Sequence, residues 1–394
     1  EPADVYIVNT CSVTNMADRK SRQMLHRAKK NNPEAVIVAA GCYVQAAEKE
    51  LEEKGIADVF IGNNKKKEIV RILDDYFAKR QKTVDVVDIS CTEEYESLSI
   101  HKVSEHTRAY IKIQDGCNQF CSYCIIPYPR GRIRSRRPEE VTEEIRDLAR
   151  KGYKEVVLTG INLPAYGKDL GLHLCDAVEA VCQAPGVERV RLGSLEPEQL
   201  TPEVIGRMAR QEKLCPQFHL SLQSGCGATL RRMNRHYTPA EYEEIVENLR
   251  SAFPDCAITT DVMVGFAGET EEEFAESLAF VRKIGLAKAH VFAYSQRPGT
   301  QAWGMEGQVS RREKERRSAL MIQAAKEGQQ AFLRGQLGRE EDVLFEQQKA
   351  PGVWEGYTRN YTHVLLESGE DLAGQVRQVR LVAVEGESIN AEGA

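Results

Sequence analysis

From residue 107 to about residue 300 the chain repeats one pattern six times, a short apolar run followed by a helical stretch. The runs are Arg108 to Ile113, Glu155 to Thr159, Val187 to Leu192, Gln217 to Leu222, Ala257 to Val264 and Ala287 to Ala293. Helical periods lie between them, for example Glu139 to Lys151, Glu241 to Ala252 and Glu271 to Ile284. Strands joined through helices pair in parallel, because a parallel return needs a long crossover. Six such units predict a partial (β/α)6 barrel with its chemistry at the carboxyl ends of the strands.

The same alternation opens the chain. Val5-Tyr6-Ile7-Val8, Ala35 to Ala40 and Val59-Phe60-Ile61 read as strands, and Ala17 to Lys30, Gln45 to Lys54 and Lys65 to Lys79 as helices. Continuous apolar strands between helices indicate a doubly wound parallel sheet covered on both faces. Such sheets place ligands at the carboxyl ends of their strands. Cys11 follows the first strand and Cys42 the second, so both are expected on that edge. The chain enters its first strand directly after Glu1-Pro2-Ala3-Asp4, as if starting inside a domain.

Residues 81–106 are polar and read as a linker with one strand at Thr83 to Ile89. A charged helix follows the barrel over 311–334, and short β runs separated by Gly and acidic turns then predict a small antiparallel barrel. The runs are Glu341 to Phe345, Trp354 to Thr358, Thr362 to Leu366 and Val376 to Val384. The expected domains are 1–80, 107–325 and 326–394, in an α/β protein overall.

Charge and cysteine usage narrow the function. A net charge of −6 excludes a globally basic nucleic-acid binder but leaves room for a local patch. No apolar stretch is long enough to span a bilayer, and no secretory signal is visible, which predicts a cytoplasmic protein without a membrane partner. Eleven Cys in such a chain point to metal rather than to a disulfide framework.

The spacing of three of them is specific. Cys117, Cys121 and Cys124 form a C-x3-C-x2-C array directly after the first barrel strand. Three thiolates can hold three irons of a [4Fe-4S] cluster and leave the fourth open to the amino and carboxylate groups of S-adenosylmethionine. A structural zinc site needs four ligands, and no fourth Cys or His lies nearby. This array resembles the signature of the radical S-adenosylmethionine (SAM) superfamily.

The wider resemblance is to the methylthiotransferases within that superfamily. It is carried by Val8-Asn9-Thr10-Cys11-Ser12-Val13-Thr14, by Ala40-Gly41-Cys42, and by the continuation Cys124-Ile125-Ile126-Pro127-Tyr128 to Arg130-Gly131. Leu158-Thr159-Gly160-Ile161-Asn162, Ser194-Leu195-Glu196-Pro197, His219-Leu220-Ser221-Leu222-Gln223-Ser224-Gly225 and Asp261-Val262-Met263-Val264-Gly265-Phe266 look like the same family. The tail resembles a TRAM domain, a β-barrel that holds RNA. Asn15 to Arg22 and Cys124 to Pro127 look most like the branch acting on N6-threonylcarbamoyladenosine in tRNA.

That resemblance implies two [4Fe-4S] clusters, one on Cys117, Cys121 and Cys124 and an auxiliary one on Cys11 and Cys42. The family's first auxiliary Cys belongs to an earlier strand that is not in this sequence. The implied chemistry methylates an auxiliary-cluster sulfur with one SAM, then cleaves a second SAM to a 5′-deoxyadenosyl radical that activates C2–H of the adenine. Implied partners are the anticodon arm of tRNA and an electron donor such as flavodoxin or ferredoxin. A ribosomal-protein substrate, or a non-catalytic Fe-S protein that binds RNA, remains open at this point.

Barrel geometry marks a cofactor pocket. Gly160 lets a ligand approach the backbone, and Asn162 offers a donor and an acceptor. Glu196, Gln223 and Asp261 follow or lie in the next strands; all five also fit as strand-end caps and turn residues. For RNA, residues 125–137 hold five Arg and no acid, and Arg132 and Arg134 are candidate phosphate contacts. The tail from 326 carries seven Lys/Arg against twelve Asp/Glu, so any RNA face there must be local. Arg359, Tyr361, Arg377 and Arg380 are its candidates. The eight His are scattered and suggest neither a zinc site nor a catalytic dyad. Cys91, Cys175, Cys182, Cys215, Cys226 and Cys256 read as structural.

Overall fold

The structure, a computed structural model, describes residues 2–98 and 107–393; residues 99–106, the end of the expected linker, lie outside the described residues. The described chain forms two compact units. One holds residues 2–98 with Gln114–Ser135 and Ser295–Gly304, and the other holds 107–113, Arg136–Tyr294 and the chain from Met305 onward.

The first unit is built on a parallel sheet. Its elements are β1 (Val5–Thr10), α1 (Asn15–Asn31), β2 (Val36–Gly41), α2 (Cys42–Glu53), β3 (Val59–Ile61), α3 (Ile69–Lys79) and β4 (Thr83–Asp85), with strand order β1-β2-β3-β4. Every residue of β2 is buried. Ile37 and Ala39 pack with Leu25, Tyr43, Leu51 and Phe60, while Val36, Val38 and Ala40 pack with Val59, Ile61 and Ile72. Successive side chains thus enter opposite apolar layers, as expected of a sheet covered on both faces. Two expectations change. The strand read inside the linker is β4, which pairs in parallel with β3 and belongs to this sheet. Helix α2 begins at Cys42 rather than Gln45 and breaks its helical backbone at Ala47.

The second unit carries the repeat. Strand β5 (Arg108–Asp115) begins in this unit, and its last two residues, the cysteine loop, α4 (Pro127–Arg130) and β6 (Arg134–Ser135) belong to the first. Then follow α5 (Pro138–Arg150), β7 (Glu155–Gly160), α6 (Leu174–Cys182), β8 (Arg189–Leu192), β9 (Ser194–Leu195), α7 (Pro202–Ala209) and β10 (Gln217–Leu220). The series ends with α8 (Gly227–Arg232), α9 (Pro239–Ala252), β11 (Ala257–Val264), α10 (Glu271–Ile284) and β12 (Lys288–Ala293). The strands form two sheets, β6-β5-β7-β8 and β9-β10-β11-β12. Gly193 alone separates β8 from β9, and Val190 bridges Leu214 just ahead of β10. Six parallel strand positions result, as the repeat predicts.

Alternation along these strands sorts the side chains. Ala109, Ile111, Ile113, Val156, Leu158, Val190, Leu192, Phe218, Leu220, Ile258 and Val262 join one apolar core with the helices. The intervening residues, from Arg108 and Glu155 to His219, Asp261 and His290, line the opposite face, which is polar.

Helix α11 (Arg311–Gly335) leads into β13 (Glu340–Ala350), β14 (Val353–Tyr357), β15 (His363–Glu367), β16 (Val376–Glu385) and β17 (Ser388–Gly393), which close in the order β13-β14-β15-β17-β16. The fifth strand was not expected. Ser-Ile-Asn-Ala-Glu-Gly has one large apolar side chain, Ile389, which suffices to reach the centre with Val343, Phe345, Trp354, Val364, Val379 and Leu381. Strand β17 pairs antiparallel with β16 but parallel with β15, so the barrel is not purely antiparallel.

This small barrel docks on the amino ends of the parallel strands through buried charge. Glu155, fully buried, pairs with Arg108 at 3.1 Å and Arg191 at 3.0 Å, with Arg189 at 3.9 Å. Arg189 donates to the carbonyls of Tyr357 and Asp342, and Arg108 to the Tyr361 hydroxyl at 2.6 Å. Tyr361 stacks on Tyr357, with ring centroids 4.6 Å apart. Arg359 donates to the carbonyls of Glu212 and Leu214. Two of the four residues expected on an RNA face, Arg359 and Tyr361, therefore hold the barrel to its neighbour. Arg377 and Arg380 remain exposed, each beside a glutamate.

Candidate functional site

In the first unit the cysteine loop is anchored at both ends. Gly116 has φ +74°, and a Cβ there would stand 1.8 Å from the Arg132 carbonyl oxygen, so only glycine fits. The Cys117 N–H donates to Gly131 O at 3.0 Å, and the Cys124 N–H to Cys121 O at 2.9 Å. Asp115 accepts from Arg130 at 3.2 Å and lies 3.8 Å from Arg134. Arg134 is 1% exposed and donates to the carbonyls of Arg130 and Arg132. It holds the loop and is not available to phosphate, which corrects the expectation for this residue. Arg136 is also buried, paired with Glu144; only Arg132 and Arg137 of the five are exposed.

The other two cysteines meet on one sheet edge. Thr10 pairs with Gly41 in the β1–β2 register, so Cys11 and Cys42 are the next residue of each strand. Gly41 has φ +102°, and a Cβ would meet Asn9 Oδ1 and Thr10 O at 2.8 Å. Cys11 is exposed, whereas Cys42 is buried as the first residue of α2. Asn63 Nδ2 lies 3.5 Å from Cys42 Sγ and 2.6 Å from Pro129 O, and the Arg130 guanidinium hydrogen-bonds the same sulfur. Arg130 thus touches both Asp115, beside the cysteine loop, and Cys42. Buried and without partners are Asn63 Oδ1 and Arg130 Nε.

A third segment closes this group. Arg297 donates to Ser12 O at 3.2 Å, to Ser12 Oγ at 2.8 Å and to Asn15 Oδ1 at 3.1 Å, and pairs with Asp18 at 2.8 Å. Burial pushes the Asp18 carboxyl up, against the pull of Ser12 and Arg297. The Ala302 N–H donates to Ser122 O at 2.8 Å. Residues 295–304 therefore hold both the Cys11 loop and the Cys121–Cys124 turn. Asn63 was legible by the logic that found Cys11 and Cys42, since it follows β3 on the same edge. Arg297 carried only a neighbouring Pro-Gly turn as a signal.

In the second unit the predicted pocket residues fall at strand ends. Gly160 ends β7, and Asn162 is buried at the head of a short 3-10 turn, Leu163–Ala165. Glu196 follows β9 and pairs with Arg235, which lies over the Tyr237 ring. Burial raises the Glu196 carboxyl despite that arginine. Gln223 adopts φ +62° and exchanges backbone hydrogen bonds with Asp261 and Met263 of β11. Asp261 lies inside β11, not at its end, and stands 3.4 Å from His219 Nε2. Arg235, His219 and His290 were not singled out from the sequence. No local spacing marks them, because His219 and His290 meet only across the register of separate strands and Arg235 reaches Glu196 from a loop 39 residues further on.

The comparisons with known proteins agree with this layout. The profile of the radical SAM superfamily matches residues 111–281, and that of Uncharacterized protein family UPF0004 matches residues 1–62. A radical SAM methyltransferase structure, TsrM from Kitasatospora setae, aligns with a TM-score of 0.60 at 13% identity, covering 77% of this chain and 65% of that one. Fold and cysteine loop define a radical SAM protein. Threonylcarbamoyladenosine tRNA methylthiotransferase MtaB of Bacillus subtilis is 39% identical over 388 residues, 97% of this chain and 86% of that protein. MtaB of Aquifex aeolicus is 37% identical, covering 95% and 90%. The tRNA-2-methylthio-N(6)-dimethylallyladenosine synthase of Caldicellulosiruptor saccharolyticus is 36% identical, covering 97% and 83%. The chain belongs to the tRNA methylthiotransferase family of radical SAM enzymes.

Membership brings SAM and a [4Fe-4S] cluster, and the loop's donors suit them. Thiols are the ligands iron-sulfur clusters take, and all three sit on one loop fixed through Gly116 and Gly131. Among the described residues, no three His, Cys, Asp or Glu side chains stand arranged around one metal position. The fit rests on donor type, spacing and loop anchoring. Among the described residues, no helix is long and apolar enough to cross a membrane.

Proposed function

We propose that this chain adds a methylthio group to C2 of N6-threonylcarbamoyladenosine beside the anticodon of tRNA, giving 2-methylthio-N6-threonylcarbamoyladenosine. The observation that carries the reading is the pairing of a C-x3-C-x2-C loop with Cys42 through Arg130 and Asn63, in a chain similar over nearly its whole length to enzymes named for this nucleoside. Cys117, Cys121 and Cys124 hold one [4Fe-4S] cluster, and Cys11 and Cys42 contribute to a second. With SAM and an electron from a donor such as flavodoxin or ferredoxin, these groups supply the 5′-deoxyadenosyl radical and the sulfur.

The protein's own residues position and protect. Gly116 and Gly131 set the cysteine loop, and Arg134 and Asp115 keep it there. Arg130 and Asn63 donate to Cys42 and orient its sulfur. Arg297 orders the Cys11 loop. Gly160, Asn162, Glu196 and Gln223 receive SAM, with Glu196 held by Arg235; Asp261, expected in the same pocket, lies inside β11 beside His219 and is left for the substrate. The tail grips the anticodon arm through its exposed face, which carries Arg377 and Arg380, and not through Arg359 and Tyr361. The enzyme works in the cytoplasm.

The test is nucleoside analysis of tRNA from a bacterium lacking its own threonylcarbamoyladenosine methylthiotransferase. Expression of this chain should restore the 2-methylthio nucleoside. Its continued absence alongside soluble, iron-loaded protein would refute the reading.

A further inference from the structure

On the polar face of the parallel strands, Arg108, Glu155, Arg189 and Arg191 serve the docking of the small barrel, but His219 and His290 have no role so far. Three side chains on three adjacent strands stand together on it. His219 of β10 lies 3.0 Å from Thr259 Oγ1 through Nδ1 and 3.4 Å from Asp261 through Nε2. The β11–β12 register sets Asp261 beside His290, whose ring centroid is 6.2 Å from that of His219. Burial lowers the His290 imidazole, against the pull of Asp261, and so favours the neutral ring, which both donates and accepts. Two residues further along β12, Phe292 is 53% exposed and offers an apolar surface next to this polar group.

The charged groups on the same face are Arg108, Lys112, Arg189, Arg191 and Lys288 against Glu155 and Asp261. The tail adds Glu346, paired with Arg108, and Glu387, paired with Lys288.

We infer that His219, Asp261 and His290 form the subsite for the N6 substituent of the substrate adenosine, and that His290 selects a threonylcarbamoyl over a dimethylallyl substituent. The inference rests on the proposed function. A threonylcarbamoyl group brings a carbonyl, an N–H, a hydroxyl and a carboxylate. The imidazole of His290 donates to one of its oxygens, and Asp261, oriented by His219, accepts from its hydroxyl or N–H. A dimethylallyl group offers none of these and would strip water from three polar side chains without replacing it. Sites built to hydrogen-bond a substrate reject such analogues by factors of about 10⁴–10⁵. The similar relatives include enzymes named for each of the two nucleosides, so the choice has to be made by side chains and not by the fold.

The test uses reconstituted enzyme and two tRNAs, one bearing threonylcarbamoyladenosine and one dimethylallyladenosine. His290→Phe keeps the volume and removes the hydrogen bonds; His290→Gln keeps a donor and an acceptor. His290→Phe should lower kcat/KM for the threonylcarbamoyl tRNA about 10- to 100-fold, mainly through KM. The dimethylallyl tRNA should lose nothing, and 5′-deoxyadenosine formation without tRNA and iron content should stay at wild-type levels. His290→Gln should recover most of the loss. Wild-type kinetics in His290→Phe, or equal losses on both tRNAs, would overturn the subsite while the proposed function stands. A wild-type enzyme inactive on threonylcarbamoyl tRNA would overturn both.

Discussion

Replacing Gly116 by alanine should cost the protein its cysteine-loop cluster. The residue sits at φ +74°, and its Cβ would lie 1.8 Å from the Arg132 carbonyl oxygen and 2.4 Å from its carbon. Both are backbone atoms that cannot swing aside. Left-handed backbone at a non-glycine residue costs about 1–2 kcal/mol. Moving the loop to relieve the overlap also breaks the Cys117 N–H bond to Gly131 O, worth about 1 kcal/mol. A total of about 2–3 kcal/mol leaves roughly 30- to 150-fold fewer molecules with the loop in place. Gly55 is the control: it has φ +59° but nothing within 4 Å of its Cβ, so Gly55→Ala bears only the backbone cost. After anaerobic reconstitution, Gly116→Ala should lose iron and form 5′-deoxyadenosine at least tenfold more slowly, while Gly55→Ala matches wild type. Wild-type iron and rate in Gly116→Ala would refute the anchoring argument.

Glu155→Gln strands Arg108, Arg189 and Arg191 around a neutral side chain, and should destabilise the docked tail by about 3–5 kcal/mol, read as earlier thermal release of a protease-resistant tail fragment; an unchanged melt would contradict it. Asn63→Leu removes a donor to Cys42 and should lower iron towards half of the roughly eight expected for two clusters, with SAM cleavage retained; full iron content would remove Asn63 from that role. His363 is held below its ordinary range by burial, with Glu355 opposing. Its depressed value gives stability that is present above the unfolded pKa of about 6.5 and is lost as pH falls through the lower folded value. Acid unfolding of the tail should therefore shift to lower pH in His363→Gln, and an unshifted curve would count against it. Arg377→Ala and Arg380→Ala should each lower the salt slope of tRNA binding by about 0.7–0.9, whereas Arg359→Ala should leave the slope alone and lower stability.

Much of this architecture is legible along the chain because strand–helix alternation is local. The six barrel strands and the β1–β2 edge bearing Cys11 and Cys42 follow from apolar runs a few residues long. The cysteine loop is equally local, since its spacing is set by ligand geometry. What escaped depends on distant partners. Arg134 belongs to an arginine-rich run that suggests phosphate, yet loop carbonyls and Asp115 claim its guanidinium. Arg359 and Tyr361 look like RNA contacts until Arg108, Arg189 and Arg191 appear beneath the small barrel. Strand β17 has too little apolar character to be seen before its neighbours exist. His219 and His290 are 71 positions apart and meet only through the register of three strands.

The division of labour between the two cysteine sets is the core of the account, and one experiment separates them. Reconstituted wild-type enzyme and the Cys11→Ala/Cys42→Ala double variant are each given SAM, reductant and tRNA bearing threonylcarbamoyladenosine, and 5′-deoxyadenosine and the 2-methylthio nucleoside are quantified together by mass spectrometry. Wild type should yield both products. The double variant should still release 5′-deoxyadenosine but form no methylthio nucleoside; methylthiolated tRNA from that variant would show that Cys11 and Cys42 do not serve the sulfur transfer.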